Sequence, residues 1–163
     1  MNINKHILSL EGPILVLGAS GFIGANLIKM LLSKRKDVYG LCRLEKGWRL
    51  DEVDSKNIIF ADVNDSVAIK NLINTISPRT VFDFISYGAY SFEESHEIVY
   101  QTNFLSLTNI VTLLEEKGVS AYIHAGTSSE YGSNSKQPKE DSSLEPNSHY
   151  SSSKIAASYF LKY

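Results

Sequence analysis

The chain has 163 residues and a mass of 18.2 kDa, enough for one domain of ordinary size with a core of its own. A hydrophobic share of 43% with 21% charged residues is globular composition, not that of a disordered chain or a coiled coil. Lys and Arg number 16 against 18 Asp and Glu, so the net charge of -2 lacks the basic footprint of a general nucleic-acid binder.

The opening, Met1 to His6, carries neither a long apolar run nor a small-residue cleavage site, so secretion is not expected. No later stretch approaches the roughly 18 apolar residues of a membrane span. A cytoplasmic protein with no membrane partner and no nucleic-acid partner is the expectation. Pro13-Ile14-Leu15-Val16-Leu17 is a short apolar run behind a turn signal, Gly12-Pro13, and reads as a buried strand. After Gly18 to Gly24, apolar residues recur at Ile23, Leu27, Ile28, Leu31 and Leu32, the spacing of one helix face. Val38 to Cys42 is the second strand. Cys42 is the one cysteine, so no internal disulfide forms and no metal is held by thiols alone.

Asn57 to Ala61 is the third strand. Asp65 caps a helix with apolar positions Ile69, Leu72, Ile73 and Ile76, halted by Pro78. Thr80 to Ser86 is the fourth strand. A longer helix is predicted over about Glu97 to Lys117, with Phe104, Leu107, Val111 and Leu114 on its stripe and Gly118 as its stop. Val119 to Ala125 is the fifth strand. The polar stretch Ser133 to Ser148 reads as a surface loop, and the chain from His149 onward as a helix.

Near-continuous apolar strands alternating with helices predict a doubly wound α/β fold, a parallel sheet covered on both faces. Ligands of such sheets bind beyond the carboxyl ends of the strands. The loop after the first strand, Gly18-Ala19-Ser20-Gly21-Phe22-Ile23-Gly24, lies there. Gly18 allows a sharp turn out of the strand. Gly21 lets backbone approach a pyrophosphate at the helix N-terminus, and Gly24 permits close packing of helix on strand. A dinucleotide site is the functional reading; a plain tight turn is the bland one. Tyr150 and Lys154, four apart, share a helix face, where an ammonium beside a phenol favours the phenolate needed for acid/base work. Thr127 offers a hydroxyl to a reacting oxygen. The alternative for Tyr150 and Lys154 is an exposed surface pair.

Gly-x-x-Gly-x-x-Gly after the first strand, Thr127-Ser128-Ser129-Glu130-Tyr131-Gly132 past the fifth, and Tyr150-Ser151-Ser152-Ser153-Lys154 together resemble the short-chain dehydrogenase/reductase superfamily. The Gly-Ala-Ser-Gly-Phe-Ile-Gly loop is similar to that of its extended branch, the NAD(P)-dependent sugar-nucleotide epimerases and dehydratases. The resemblance implies a Rossmann-like dinucleotide-binding domain over residues 1–163. It implies further strands and a C-terminal substrate part beyond the Tyr/Lys helix, in which this chain ends. Thr127, Tyr150 and Lys154 match the catalytic set. Gly18, Ser20, Gly21, Phe22, Ile23, Gly24, Asp62, Val63, Ser86, Tyr150 and Lys154 match the cofactor contacts.

Asp62 also reads as a turn cap, and Asp83 stands where the family usually has His. Asn103 matches the Asn of the long helix, but also reads as a polar-face residue. Cys42 takes the place of the acidic residue that binds an NAD ribose. Arg43 behind it, with Lys46 and Arg49, favours NADP over NAD, against the reading of a solvated basic loop. The implied substrate is a nucleotide-activated sugar, with a homodimer for the full-length enzyme. Ser128-Ser129 replace the Asp-Glu pair of the 4,6-dehydratases, and Glu130 falls one residue late, so epimerisation or keto-reduction is favoured over dehydration. Two other classes remain open: a non-catalytic dinucleotide-binding module, and a single-domain carbonyl reductase.

Overall fold

A computed structural model describes residues 3–90, 93, 95–134 and 136–163. The chain divides into two compact units, Met1–Ile85 with Ile110–His124, and Ser86–Asn109 with Ala125–Tyr163.

The first unit is the parallel α/β sheet that the strand pattern predicts. Strands β1 (Ile14–Leu17), β2 (Val38–Cys42), β3 (Ile58–Phe60), β4 (Thr80–Asp83) and β5 (Ala121–His124) lie in the order β3-β2-β1-β4-β5. Every pair is parallel, so all five carboxyl ends lie along one edge. The central strand β1 is buried along its whole length, as continuous Ile-Leu-Val-Leu demands when both faces are covered. One face packs Ile14 and Val16 against Ala25, Ile28 and Leu31; the other packs Leu15 and Leu17 against Ile69, Ile73, Ile110 and Leu114. A short helix α1 (Ile3–Ser9), which the sequence pattern did not indicate, adds Ile7 to the first of these faces.

Helix α2 (Phe22–Leu32) buries Gly24, Ala25, Ile28 and Leu31. Ile23, predicted on its apolar face, is 56% exposed, because the close face at the first turn is built from Gly24 and Ala25. Helix α3 (Ser66–Ile76) buries the four predicted residues Ile69, Leu72, Ile73 and Ile76. Its cap is Asp65, whose Oδ1 accepts from the Val67 and Ala68 amides at 3.0 Å each.

The second unit holds α4 (His96–Tyr100), the first residues of α5 (Ser106–Lys117), and α6 (His149–Lys162). Between α4 and α5 the helix widens into a π turn over Gln101–Leu105. The predicted stripe residues Leu107 and Leu114 are buried as expected, and the extra residue in this turn shifts the stripe around Phe104. Val99, Asn103, Ser106, Leu107, Ile110 and Leu114 are buried, whereas Phe104 and Val111 are half-buried. Asn103 is therefore not a polar-face residue. Ser148 caps α6 through a reciprocal pair with Ser151, and Phe104 meets Phe160 edge to face at 6.4 Å. The described residues of the predicted polar loop form neither helix nor strand; Ser135 within it lies outside the described residues. No helix among the described residues is long and apolar enough to cross a membrane.

Removing the Asp65 cap strands two amides of α3. Asp65→Ala is expected to cost about 1 kcal/mol, a fall of roughly 2–4 °C in Tm for a chain of this size, read by circular dichroism. An unchanged Tm contradicts the capping role.

Candidate functional site

In the first unit, the turn after β1 is set by two glycines with different tasks. Gly18 sits at φ +74, where a side chain is strained, and a Cβ there would stand 3.1 and 3.2 Å from the Phe84 carbonyl carbon and oxygen. Its carbonyl accepts from the Gly21 amide at 3.0 Å, closing the loop. Gly24 faces the same segment from α2, and a Cβ there would reach the Gly18 carbonyl oxygen at 2.3 Å and the Ala19 Cα at 2.9 Å. Helix and turn meet backbone to backbone.

Gly21 is the N-cap of α2 and supplies no side-chain acceptor. The amides of the first turn thus receive no bond from an N-cap side chain, and Phe22 and Ile23 beside them are 73% and 56% exposed. Such an end favours an anion.

The neighbouring strand ends bring further predicted residues to the same edge. Cys42 is buried at the end of β2; burial pushes its thiol up, and a hydrogen bond with Ser20 opposes that shift. Arg43 follows it and is exposed. The other two cations of that loop are engaged locally. Lys46 Nζ donates to the Asp51 carbonyl at 3.3 Å, and the Arg49 guanidinium stacks 4.6 Å over the Trp48 ring. Beyond β3, Asp62 Oδ1 accepts from the Asn64 amide at 2.9 Å, so it does cap a turn, while Val63 is buried.

Thr127, Tyr150 and Lys154 belong to the second unit, as does Ser86, which is exposed. Thr127 is the N-cap of a 3-10 turn over Ser128–Tyr131, a turn packed against α6. Its Oγ1 accepts from the Ser129 amide at 3.2 Å, which leaves its hydroxyl hydrogen to be donated elsewhere. Glu130 Oε1 accepts from the Thr127 amide at 3.1 Å, so this carboxylate closes a reciprocal cap.

Tyr150 and Lys154 lie one turn apart on α6; Tyr150 is half-buried, and Lys154 is 2% exposed. A lysine so deep is not half of a surface pair, since surface lysines keep the ammonium in water. Next to it, Ser153 accepts from Asn103 Nδ2 at 2.9 Å. Asn103 also clamps Tyr87, taking its amide at 2.8 Å and donating to its carbonyl at 2.7 Å. Among the described residues no buried side-chain nitrogen or oxygen lacks a partner.

An open pocket of about 510 Å³ in this unit is lined by Tyr150, His149, His96, Glu93, Tyr90 and Gly88, among others. His96 and His149 stack at 3.7 Å, and the Tyr100 hydroxyl lies 3.1 Å from His149 Nδ1. Neither histidine carried a motif in the sequence; only adjacency to Tyr150 marked His149. Among the described residues no cluster of His, Cys, Asp and Glu could hold a metal ion.

The family model described as the NAD dependent epimerase/dehydratase family matches residues 14–163. The chain belongs to that family. It is 30% identical to a UDP-glucuronate 4-epimerase of Thermodesulfobacterium geofontis, over 90% of this chain and 49% of that protein. It is 29% identical to GDP-mannose 4,6 dehydratase 1 of Arabidopsis thaliana, over 98% of this chain and 49% of that protein. The chain thus spans about half the length of these curated relatives. Its fold is shared by the UDP-glucose 4-epimerase of Thermus thermophilus, solved in complex with NAD. There the TM-score is 0.79 at 24% identity, over 91% of this chain and 49% of that one.

The backbone contact at Gly24 leaves no room for a methyl group. Gly24→Ala is expected to cost about 1–3 kcal/mol, the usual penalty of overpacking, seen as a lower urea midpoint at unchanged slope. A midpoint equal to that of the natural protein contradicts the close approach.

Proposed function

We propose that this chain carries the dinucleotide-binding and acid/base parts of an NAD(P)-dependent oxidoreductase acting on a nucleotide-activated sugar, by epimerisation or keto-reduction. The observation that carries the reading is Lys154, sunk to 2% exposure one helical turn from Tyr150, beside the Thr127 turn. Family membership and the named activities of the relatives support the substrate class. The first unit fits a dinucleotide: at Gly18 and Gly24 a Cβ would fill the turn, and the uncapped amides of α2 suit a pyrophosphate.

When bound, such a cofactor supplies a nicotinamide ring that takes a hydride from a carbinol carbon and gives it back. The chain's own groups handle the proton. The Tyr150 phenolate accepts the carbinol proton as the hydride departs and returns it in the reverse step. Lys154 would stabilise the phenolate by its charge and would donate to the ribose of a bound dinucleotide. Thr127 donates its hydroxyl hydrogen to the reacting oxygen and holds it in register with Tyr150. Glu130 is occupied in capping Thr127, which supports a reaction without 4,6-dehydration.

The choice of NADP rests on the end of β2. A buried thiol stands where a carboxylate would bind ribose hydroxyls, and Arg43 is the exposed cation next to it. NADPH is expected to bind more tightly than NADH in a titration of nicotinamide fluorescence, and Arg43→Ala to erase the difference. Equal or tighter binding of NADH, unchanged in Arg43→Ala, overturns the preference.

For the chemistry, Tyr150→Phe in a full-length form is expected to lower turnover of a nucleotide-activated sugar by a factor of about 10² to 10⁴ with little change in cofactor Kd. Lys154→Ala is expected to damage both. Normal turnover by Tyr150→Phe contradicts the assignment.

A further inference from the structure

We propose that Asp83 is a positioning residue for the dinucleotide turn, its buried carboxylate held by Tyr122 and His124 so that the Phe84–Ile85 peptide is fixed under Gly18. The proposal rests on the dinucleotide reading of that turn.

Parallel pairing places Leu17, Asp83 and His124 at one level across β1, β4 and β5, the last level before the functional edge. Tyr122, two residues earlier on β5, points to the same face as His124. Three donors converge on one carboxylate. Tyr122 Oη donates to Asp83 Oδ2 at 2.9 Å, His124 Nδ1 donates to the same oxygen at 2.8 Å, and the Ile85 amide donates to Oδ1 at 3.0 Å. An ionised carboxylate only accepts, so the hydrogen of that bond sits on His124 Nδ1. Burial and the adjacent Asp83 charge push the Tyr122 phenol well up, which keeps it a donor. The Asp83 and His124 side chains are 5% and 6% exposed.

Stability alone does not call for this arrangement. A packed apolar residue at a sheet position is commonly as stable as a buried charge with its partners. What the carboxylate adds is the bond from Oδ1 to Ile85, beyond the end of the strand. The preceding amide, Phe84, donates to the Leu17 carbonyl at 3.1 Å. The Asp83–Phe84 peptide is thereby tied to β1, and the Phe84–Ile85 peptide that follows it is tied to the Asp83 carboxylate. On that peptide rests Gly18, whose missing Cβ would stand 3.1 Å from the Phe84 carbonyl carbon and 3.3 Å from the Ile85 nitrogen. A shift of a few tenths of an ångström in this peptide changes the floor of the left-handed turn.

Asp83→Asn keeps the shape but offers one acceptor oxygen to donors on two sides, so either Ile85 or the Tyr122 and His124 pair faces an NH2 group. Dissociation constants for NADH and NADPH would be measured well below each variant's Tm. The expected result is a rise of about tenfold for Asp83→Asn, about one lost hydrogen bond to a charged group. His124→Asn, whose amide nitrogen takes the place of Nδ1, is expected to stay within about twofold of the natural protein, and His124→Leu to match Asp83→Asn. Ile73→Val, a core change on α3 away from the network, lowers Tm with no loss of affinity. Unchanged affinity in both Asp83→Asn and His124→Leu overturns the proposal, as does affinity that tracks Tm in all four variants. A natural protein that binds neither dinucleotide overturns the underlying reading along with it.

Discussion

The approach of α2 to the end of β1 is the contact on which the rest of the first unit depends. No side chain intervenes at Gly24 and Gly18, so the helix starts directly over the turn and its first amides open at the strand ends. A parallel sheet needs a long crossover after every strand, and those crossovers put the helices on the faces. The strand ends then become the place where loops can meet a ligand. In this chain that edge carries the glycine turn, Cys42 with Arg43, the Asp62 turn and the Asp83 carboxylate, each from a different strand.

Asp83 in one unit, and Asn103 and Lys154 in the other, are each at or below 4% exposure. Desolvating such groups costs free energy that hydrogen bonds only partly return, so their placement is a constraint on the surrounding backbone. Asp83 holds the peptide after β4, and Asn103 holds Tyr87 from within a π turn. In both places a buried polar side chain secures a loop that has left regular structure, where the backbone has no ladder of its own.

Much of this was legible in the sequence because it is periodic or local. The five apolar runs gave five parallel strands, Asp65 gave its cap, and the glycine spacing gave the turn. Strand ends came out shorter than the apolar runs, since Phe84, Ile85 and Ser86 remain apolar or small after the ladder with β1 has ended at Asp83. Interactions between residues far apart in sequence were not legible. Nothing local announces that Asp83 meets Tyr122 and His124, or that His96 stacks on His149. The long helix was found with Leu107 and Leu114 on its buried stripe, whereas Phe104 falls in a π turn that breaks the period from which the stripe was read.

The central claim is that the first unit binds a nicotinamide dinucleotide through the Gly18–Gly24 turn. Native mass spectrometry of this chain incubated with NADH and with NADPH tests it most directly. The expected result is a species carrying one dinucleotide per chain, lost in Gly18→Val. A chain that stays bare with both dinucleotides, while folded by circular dichroism, would contradict it.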